Sequence, residues 1–183
     1  MLANRLIGLA RVVINEDTFD VDSTAQYTQY ADTAGSWSVT GGELVASGGL
    51  RTKFIRNGTS FSDVKIEADI DECEDGGLVL RLVDNSNYYF LSLCDDSGVE
   101  PSQNLRIRKR TGGSFSGSLS TANISWPRGT SKKIAFEAIG TTLNGYVDGQ
   151  LLVSAVDSSL ASGGVGMRNT GGTTRFQAFR WGL

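Results

Sequence analysis

The sequence predicts an all-β fold built as two packed antiparallel sheets, and three observations carry that prediction. Twenty-three glycines but only two prolines lie in 183 residues, so tight turns are frequent and strand-breaking residues are rare. Short apolar runs recur at close, fairly regular intervals, and no long stretch repeats with a convincing helical period. The segment Gly76–Leu93, GGLVLRLVDNSNYYFLSL, places two β-rich runs on either side of the polar turn Asp84-Asn85-Ser86-Asn87, the pattern of an antiparallel hairpin. Alternation gives its first strand one face of Leu78, Leu80 and Leu82 and another of Val79, Arg81 and Val83.

The N-terminal stretch MLANRLIGLARVVINEDTF comes first. Leu2, Leu6 and Leu9 recur at helical spacing and, with Ile7, offer a short apolar stripe. Residues 1–15 are read as an arm, laid on its own domain or docked on a protein partner or a second copy of the chain. Arg5 and Arg11 break the apolar run, and the small-x-small triplet Gly8-Leu9-Ala10 comes too early for a secretory signal, so cytoplasmic synthesis is expected. Strands are then expected at Ala10–Asn15, Trp37–Thr40, Glu43–Ser47, Arg51–Arg56, Ser62–Asp71, Gly77–Asp84 and Tyr88–Cys94. The second half adds Asn104–Arg110, Lys132–Ile139, Thr142–Val147, Gln150–Ala155, Gly164–Arg168 and Thr174–Trp181. Asp148-Gly149 and Gly41-Gly42 are two-residue hairpin turns by composition. No linker or repeat divides residues 16–183, which are read as one domain.

The ordered series Asp17–Phe19, Gly35-Ser-Trp37-Ser-Val39, Gly42-Glu-Leu44, Phe61-Ser-Asp63-Val64, the Gly76–Leu93 hairpin, Tyr146-Val-Asp-Gly149, Gly163-Gly-Val-Gly166 and Phe176–Trp181 resembles the concanavalin A-like, or laminin G-like, jelly-roll domain. The resemblance covers residues 16–183 and implies two curved antiparallel sheets, one with a concave face. Members of that group bind glycans, cleave them or serve as structural modules, so the fold leaves function open. Many carry a calcium ion near the chain termini, with an acidic residue on the closing strand. Here that strand, Arg175–Arg180, has no carboxylate, although Glu16, Asp17, Asp20 and Asp22 are candidate oxygen ligands for a structural calcium. No cofactor is otherwise expected.

A net charge of −3 argues against a general nucleic-acid binder, and no apolar run approaches the ~20 residues of a membrane span. The chain has no histidine, which removes histidine-dependent nucleophilic systems and the commonest metal ligand. Glu67-Ala-Asp69-Ile-Asp71-Glu72 resembles the two-carboxylate strand motif of jelly-roll glycosidases. On a regular strand Glu67 and Glu72 take opposite faces, so pairing them requires a bulge. The simpler reading buries Val64, Ile66, Ala68 and Ile70 and wets Lys65, Glu67, Asp69 and Asp71; catalysis is not expected.

Arg106, Arg108 and Arg110 alternate with Leu105 and Ile107 as a cationic stripe, with Arg81 on the same sheet. The stripe either pairs across strands with Glu67, Asp69 and Asp71 or meets an acidic glycan, an acidic protein surface or phosphate. Tyr88 and Phe90 share one strand face and Tyr89, Leu91 and Leu93 the other, so Tyr88 either belongs to the scaffold or stacks on a sugar. Arg81, Tyr88, Arg106 and Arg108 are the candidate ligand contacts; Leu2, Leu6, Ile7 and Leu9 are the candidate docking residues. Cys73 and Cys94 end strands that a simple meander separates by about 9–10 Å, beyond disulfide reach. The expected function is a non-enzymatic interaction module of a larger assembly, such as a bacteriophage capsid-decoration or tail protein. A free-standing glycan-binding module and a glycosidase acting through Glu67 and Glu72 are the alternatives.

Overall fold

A computed structural model of the chain describes residues 15–73, 75–94, 102–126 and 130–183. The arm residues Leu2, Leu6, Ile7 and Leu9 lie outside that range, as do the side chains of Glu72 and Cys94. The first half of the chain forms β1 (Asn15–Asp17), β2 (Tyr27–Tyr30), β3 (Ser36–Thr40), β4 (Glu43–Ser47), β5 (Thr52–Arg56), β6 (Val64–Cys73), β7 (Asp75–Asp84) and β8 (Asn87–Cys94). The second half forms β9 (Ser102–Thr111), β10 (Ser114–Phe115), β11 (Ser120–Ser125), β12 (Lys132–Ile139), β13 (Thr142–Val147), β14 (Gln150–Val156), β15 (Gly164–Asn169) and β16 (Thr173–Gly182). The one helical turn among the described residues is a 3₁₀ turn at Thr24–Gln26.

Among the described residues all strand pairs are antiparallel, and they form two sheets. The first runs β14-β13-β12-β6-β16-β4-β3, with β1 beside the end of β16; the second runs β10-β9-β8-β7-β15-β5-β2, with β11 on β9. Main-core side chains alternate along each strand: Val64, Ile66, Ala68 and Ile70 from β6 meet Leu78, Leu80, Tyr89, Leu91 and Leu93 from the second sheet. Burying each leucine-sized chain contributes about 1.5–3 kcal/mol. The hairpin turns follow their composition, since Asp148 and Gly149 both take positive φ (49° and 80°), which matches the twist of the flanking strands.

Three expectations from the sequence are corrected. First, β6 and β7 are consecutive but lie in different sheets, so the meander argument for Cys73 and Cys94 does not apply. Cys73 is buried, accepts the Gly76 N–H at 3.1 Å, and has its thiol pushed up to about 12 by burial. Second, the acidic ladder of β6 and the basic stripe of β9 sit in different sheets and cannot pair across strands. Asp69 instead meets Arg180 (2.6 Å) and Lys133 (3.8 Å), and Glu67 meets Lys65 (3.2 Å). Third, the alternation of β7 breaks at Arg81, which has φ 50° and lies in a register shift between Leu80 and Asp84. The shift sends Leu82 to the face that holds Val79 and turns Arg81 away from it. β2 and β11, which run along the outer borders of the second sheet, are absent from the sequence reading.

A polar network ties the strand after the hairpin to the loop that follows β14. Asp157 accepts the Tyr89 hydroxyl (2.6 Å), the Ser159 N–H (2.9 Å) and the Lys109 ammonium, and the Tyr89 oxygen accepts the Leu160 N–H (3.1 Å). Burial pushes the Asp157 carboxyl up, but the hydrogen bonds from Lys109, Ser159 and Tyr89 outweigh it and hold the group below its ordinary value of 3.8. A lowered folded value contributes stability that is complete above the unfolded value and is lost as pH falls below it. Asp157→Asn is expected to lose about 1–3 kcal/mol at pH 7 and to flatten the acid limb below about pH 4, as read by urea denaturation at several pH values.

Candidate functional site

The outer face of the second sheet carries the densest chemistry. Along β8, Tyr88, Phe90 and Ser92 point outward because Tyr89, Leu91 and Leu93 fill the core. On β9 the same parity turns Arg106, Arg108 and Arg110 outward, opposite Ser92, Phe90 and Tyr88. On the other side, Val79 of β7, Arg168 of β15, and Lys53 and Ile55 of β5 complete the face. Ile55, Val79, Leu82, Tyr88 and Phe90 form a second apolar cluster there, separate from the main core, with Tyr30 and Phe115 packed on it.

Cations lie over these rings. Lys53 Nζ is 4.6 Å from the Tyr88 ring centre, and Arg168 Cζ is 4.9 Å from that of Phe90. Phe115, carried over the face by the turn at Gly112-Gly113, meets Phe90 edge-on at 5.9 Å. Arg51 (4.7 Å), Arg110 (5.0 Å) and Arg108 (5.8 Å) surround its ring. Asp32 from the segment after β2 binds Arg110 (2.6 Å) and Arg51 (2.7 Å). The hydrogen bond from Arg110 holds the Asp32 carboxyl down to about 2, with Arg51 and Asn85 adding to it against burial. Burial pushes Lys53 down to about 8; Asp32 opposes this, while Arg110, Arg168 and Arg51 push the same way. Lys53 Nζ donates to Asn85 Oδ1 (2.6 Å) and to the Arg51 carbonyl (2.8 Å).

Beside this cluster, toward β2, lies a groove of ≈ 160 Å³ lined by Thr28, Tyr30, Ile55, Asn57, Thr59 and Val83, among others. The face therefore joins a rigid set of cations to an open polar groove with one half-buried tyrosine, Tyr30.

The sequence-derived candidates divide. Arg106 and Arg108 lie half-buried on this face as expected. Tyr88 is on the face but only 2% exposed, beneath Lys53, so its ring is not open to solvent. Arg81 is also 2% exposed and turned off the face; its guanidinium donates to the carbonyls of Ser62, Leu160 and Gly140 at 2.6–2.9 Å. Lys53, Arg168, Phe115 and Tyr30 were missed. Alternation about Phe54 signals Lys53 and Ile55, but nothing local places Phe115, which reaches the face through a turn.

The remaining candidate carboxylates lie on β6 and near the start of the described chain. A bulge does occur in β6: Ile70 and Glu72 pair with consecutive residues of β16, leaving Asp71 as the extra residue. Near the start of the described chain, Asp17 accepts Ser23 (2.7 Å) and Tyr27 (3.0 Å), Asp22 accepts Thr24 (2.7 Å), and Glu16 binds Arg180 (2.7 Å). Among the described residues no three histidine, cysteine or acidic side chains gather as a metal site.

Two antiparallel sheets packed in this order define a concanavalin A-like jelly-roll sandwich. No family model matches the chain, and no curated protein matches it. Among solved structures it is similar to the carbohydrate-binding module CBM66 of Bacillus subtilis, with TM-score 0.68 and 22% identity, over 83% of this chain and 92% of that one. It is also similar to the GH43 protein BlXynB of Bacillus licheniformis, with TM-score 0.67 and 17% identity, over 91% of this chain but 39% of that one. A third is the CBM2 module of the evolved Dit of Lactobacillus casei BL23 phage J-1, with TM-score 0.60 and 12% identity, over 92% of this chain and 94% of that one. At these identities the likeness establishes the fold alone.

Proposed function

We propose that this chain is a non-catalytic glycan-binding module whose contact surface is the outer face of the second sheet. The observation that carries the reading is the groove at Thr28, Tyr30 and Asn57 beside cations fixed over Tyr88, Phe90 and Phe115. A ligand there meets preorganised donors next to a partly open ring, the combination that suits a polar sugar with apolar ring faces. The likeness to a solved carbohydrate-binding module over nearly all of that module's length supports the same reading. By contrast, the chain spans 39% of the GH43 protein, and Glu67 is held by Lys65, so a glycosidase acting through Glu67 and Glu72 gains no support. Affinity electrophoresis against a panel of soluble polysaccharides tests the proposal. Tyr30→Ser is expected to weaken binding about three- to tenfold, while Lys133→Ala, on the first sheet, leaves it unchanged. Equal binding by both variants, or a loss confined to Lys133→Ala, overturns the choice of face.

A second reading, that the module works as part of a bacteriophage virion, draws on the likeness to the phage J-1 module. Under it, residues 1–15 are the docking arm, and their deletion removes the chain from its assembly. A truncated chain that still assembles overturns it.

A further inference from the structure

We infer that the glycan taken by this face is acidic, and that Arg108 reads its carboxylate. The inference rests on the glycan-binding reading and adds the ligand's class. Of the cations on the face, Arg110 is neutralised by Asp32 (2.6 Å) and Arg168 by Asp75 (2.8 Å). Arg108 pairs with no carboxylate among the described residues, and its Nε is buried without a hydrogen-bond partner. Its guanidinium is nevertheless fixed, with Cζ 5.7 Å from the Phe90 ring centre and 5.8 Å from that of Phe115. Two rings thus hold the guanidinium where a charge partner is missing.

A planar guanidinium presents a fork of N–H donors that matches a carboxylate with two parallel hydrogen bonds, and holding it in advance reduces the side-chain ordering that binding would otherwise cost. A second unpartnered polar group lies buried beneath the same face. Ser92, next outward residue after Phe90 on the same strand, is 0% exposed and its Oγ has no hydrogen-bond partner. Ser92 lies opposite Arg106 as Phe90 lies opposite Arg108, so the two unpartnered groups occupy adjacent rows of one face. A uronate unit would supply the carboxylate that Arg108 lacks. Arg51, Lys53, Arg108 and Arg110 together outnumber Asp32, so the face is locally positive on a chain of net charge −3, which favours approach of a polyanion.

The test compares the purified chain with its Arg108→Gln and Arg108→Lys variants by isothermal titration. The probes are polygalacturonate, its methyl-esterified form, dextran and dextran sulfate. Expected is binding to polygalacturonate that weakens with added salt, falls at least tenfold in Arg108→Gln, and is only partly restored in Arg108→Lys, whose ammonium lacks the fork. Unchanged melting temperatures exclude unfolding as the cause. Equal binding of the esterified polymer, or no effect of Arg108→Gln, overturns the acidic-ligand inference and leaves glycan binding standing. Equal binding of dextran sulfate shows a response to charge alone and overturns the carboxylate assignment. Failure to bind any polysaccharide, in this set or the wider panel, overturns the glycan reading itself.

Discussion

Arg81→Met is expected to destabilise the domain by about 3–5 kcal/mol, seen as a lower urea midpoint with the native spectrum retained at zero denaturant. The side chain is 2% exposed and donates to three carbonyls, those of Ser62, Gly140 and Leu160, which come from separate connections at one end of the sandwich. Methionine keeps the length of the stem but leaves those acceptors without their donor, and hydrogen bonds to a charged donor are worth about 1.5–3 kcal/mol each. Two further variants isolate the cause. Arg81→Gly relieves the positive φ of 50° yet is expected to remain nearly as unstable, because the donors are gone. Asp63→Asn should cost less than about 1 kcal/mol, since the Asp63 pair is 3.8 Å long and its side chain is 47% exposed. Hydrogen exchange should show lost protection at the three connections before the strands. An Arg81→Met protein as stable as the wild type would show that these hydrogen bonds do not hold the three connections together.

Gly166→Ala is the second large effect, expected at about 3 kcal/mol or more. A Cβ there would meet the Phe54 carbonyl oxygen at 2.1 Å and Ile55 Cα at 2.9 Å, both backbone atoms. β15 is an inner strand between β7 and β5, so it cannot shift outward. β5 has little room to retreat either, because the Phe54 ring stacks on Tyr27 (4.8 Å) and Trp37 (4.9 Å). At about 2–4 °C per kcal/mol for a chain of this size, the melting temperature should fall by at least ~6 °C. Gly117→Ala, with nothing within 4 Å of the added carbon, should lie within about 0.5 kcal/mol of the wild type. Similar melting temperatures for the two variants would contradict the packing of β15 on β5.

Much of the sheet content was legible because alternation is a local signal. Val64, Ile66, Ala68 and Ile70 are buried, and Lys65, Glu67 and Asp69 lie on the other face, as their spacing requires. The hairpin turn also closes as its residues dictate, with Asp84 accepting the Ser86 N–H at 2.7 Å and pairing with Asn87 across the strands. Reading failed where a strand departs from period two. Arg81 reads as an outward residue until the bulge turns it to the end of the sandwich. The bulge at Asp71 has the same effect on β6, placing Cys73 in the core rather than on the face that alternation from Ile70 would give it. β2, with Tyr-Thr-Gln-Tyr, lacks the apolar content of an inner strand and, among the described residues, pairs in its sheet with β5 alone.

The candidate site was legible only in part. The parity of β9 places Arg106 and Arg108 on one face, but it cannot say which residues of other strands share it. Whether an arginine meets an acidic ladder or an aromatic ring depends on which sheet each strand joins.

The sequence by itself determined the all-β class, the turns and the two-faced character of most strands, because backbone alternation and turn chemistry act over a few neighbouring residues. Only the tertiary structure decided that β6 and β7 part into different sheets, so that the acids of β6 and the arginines of β9 never meet. It alone brought Phe115 over Phe90, with Arg108 held against both rings. The contacts to Phe90 join residues of different hairpins, and their energies arise from packing and desolvation that no local pattern records.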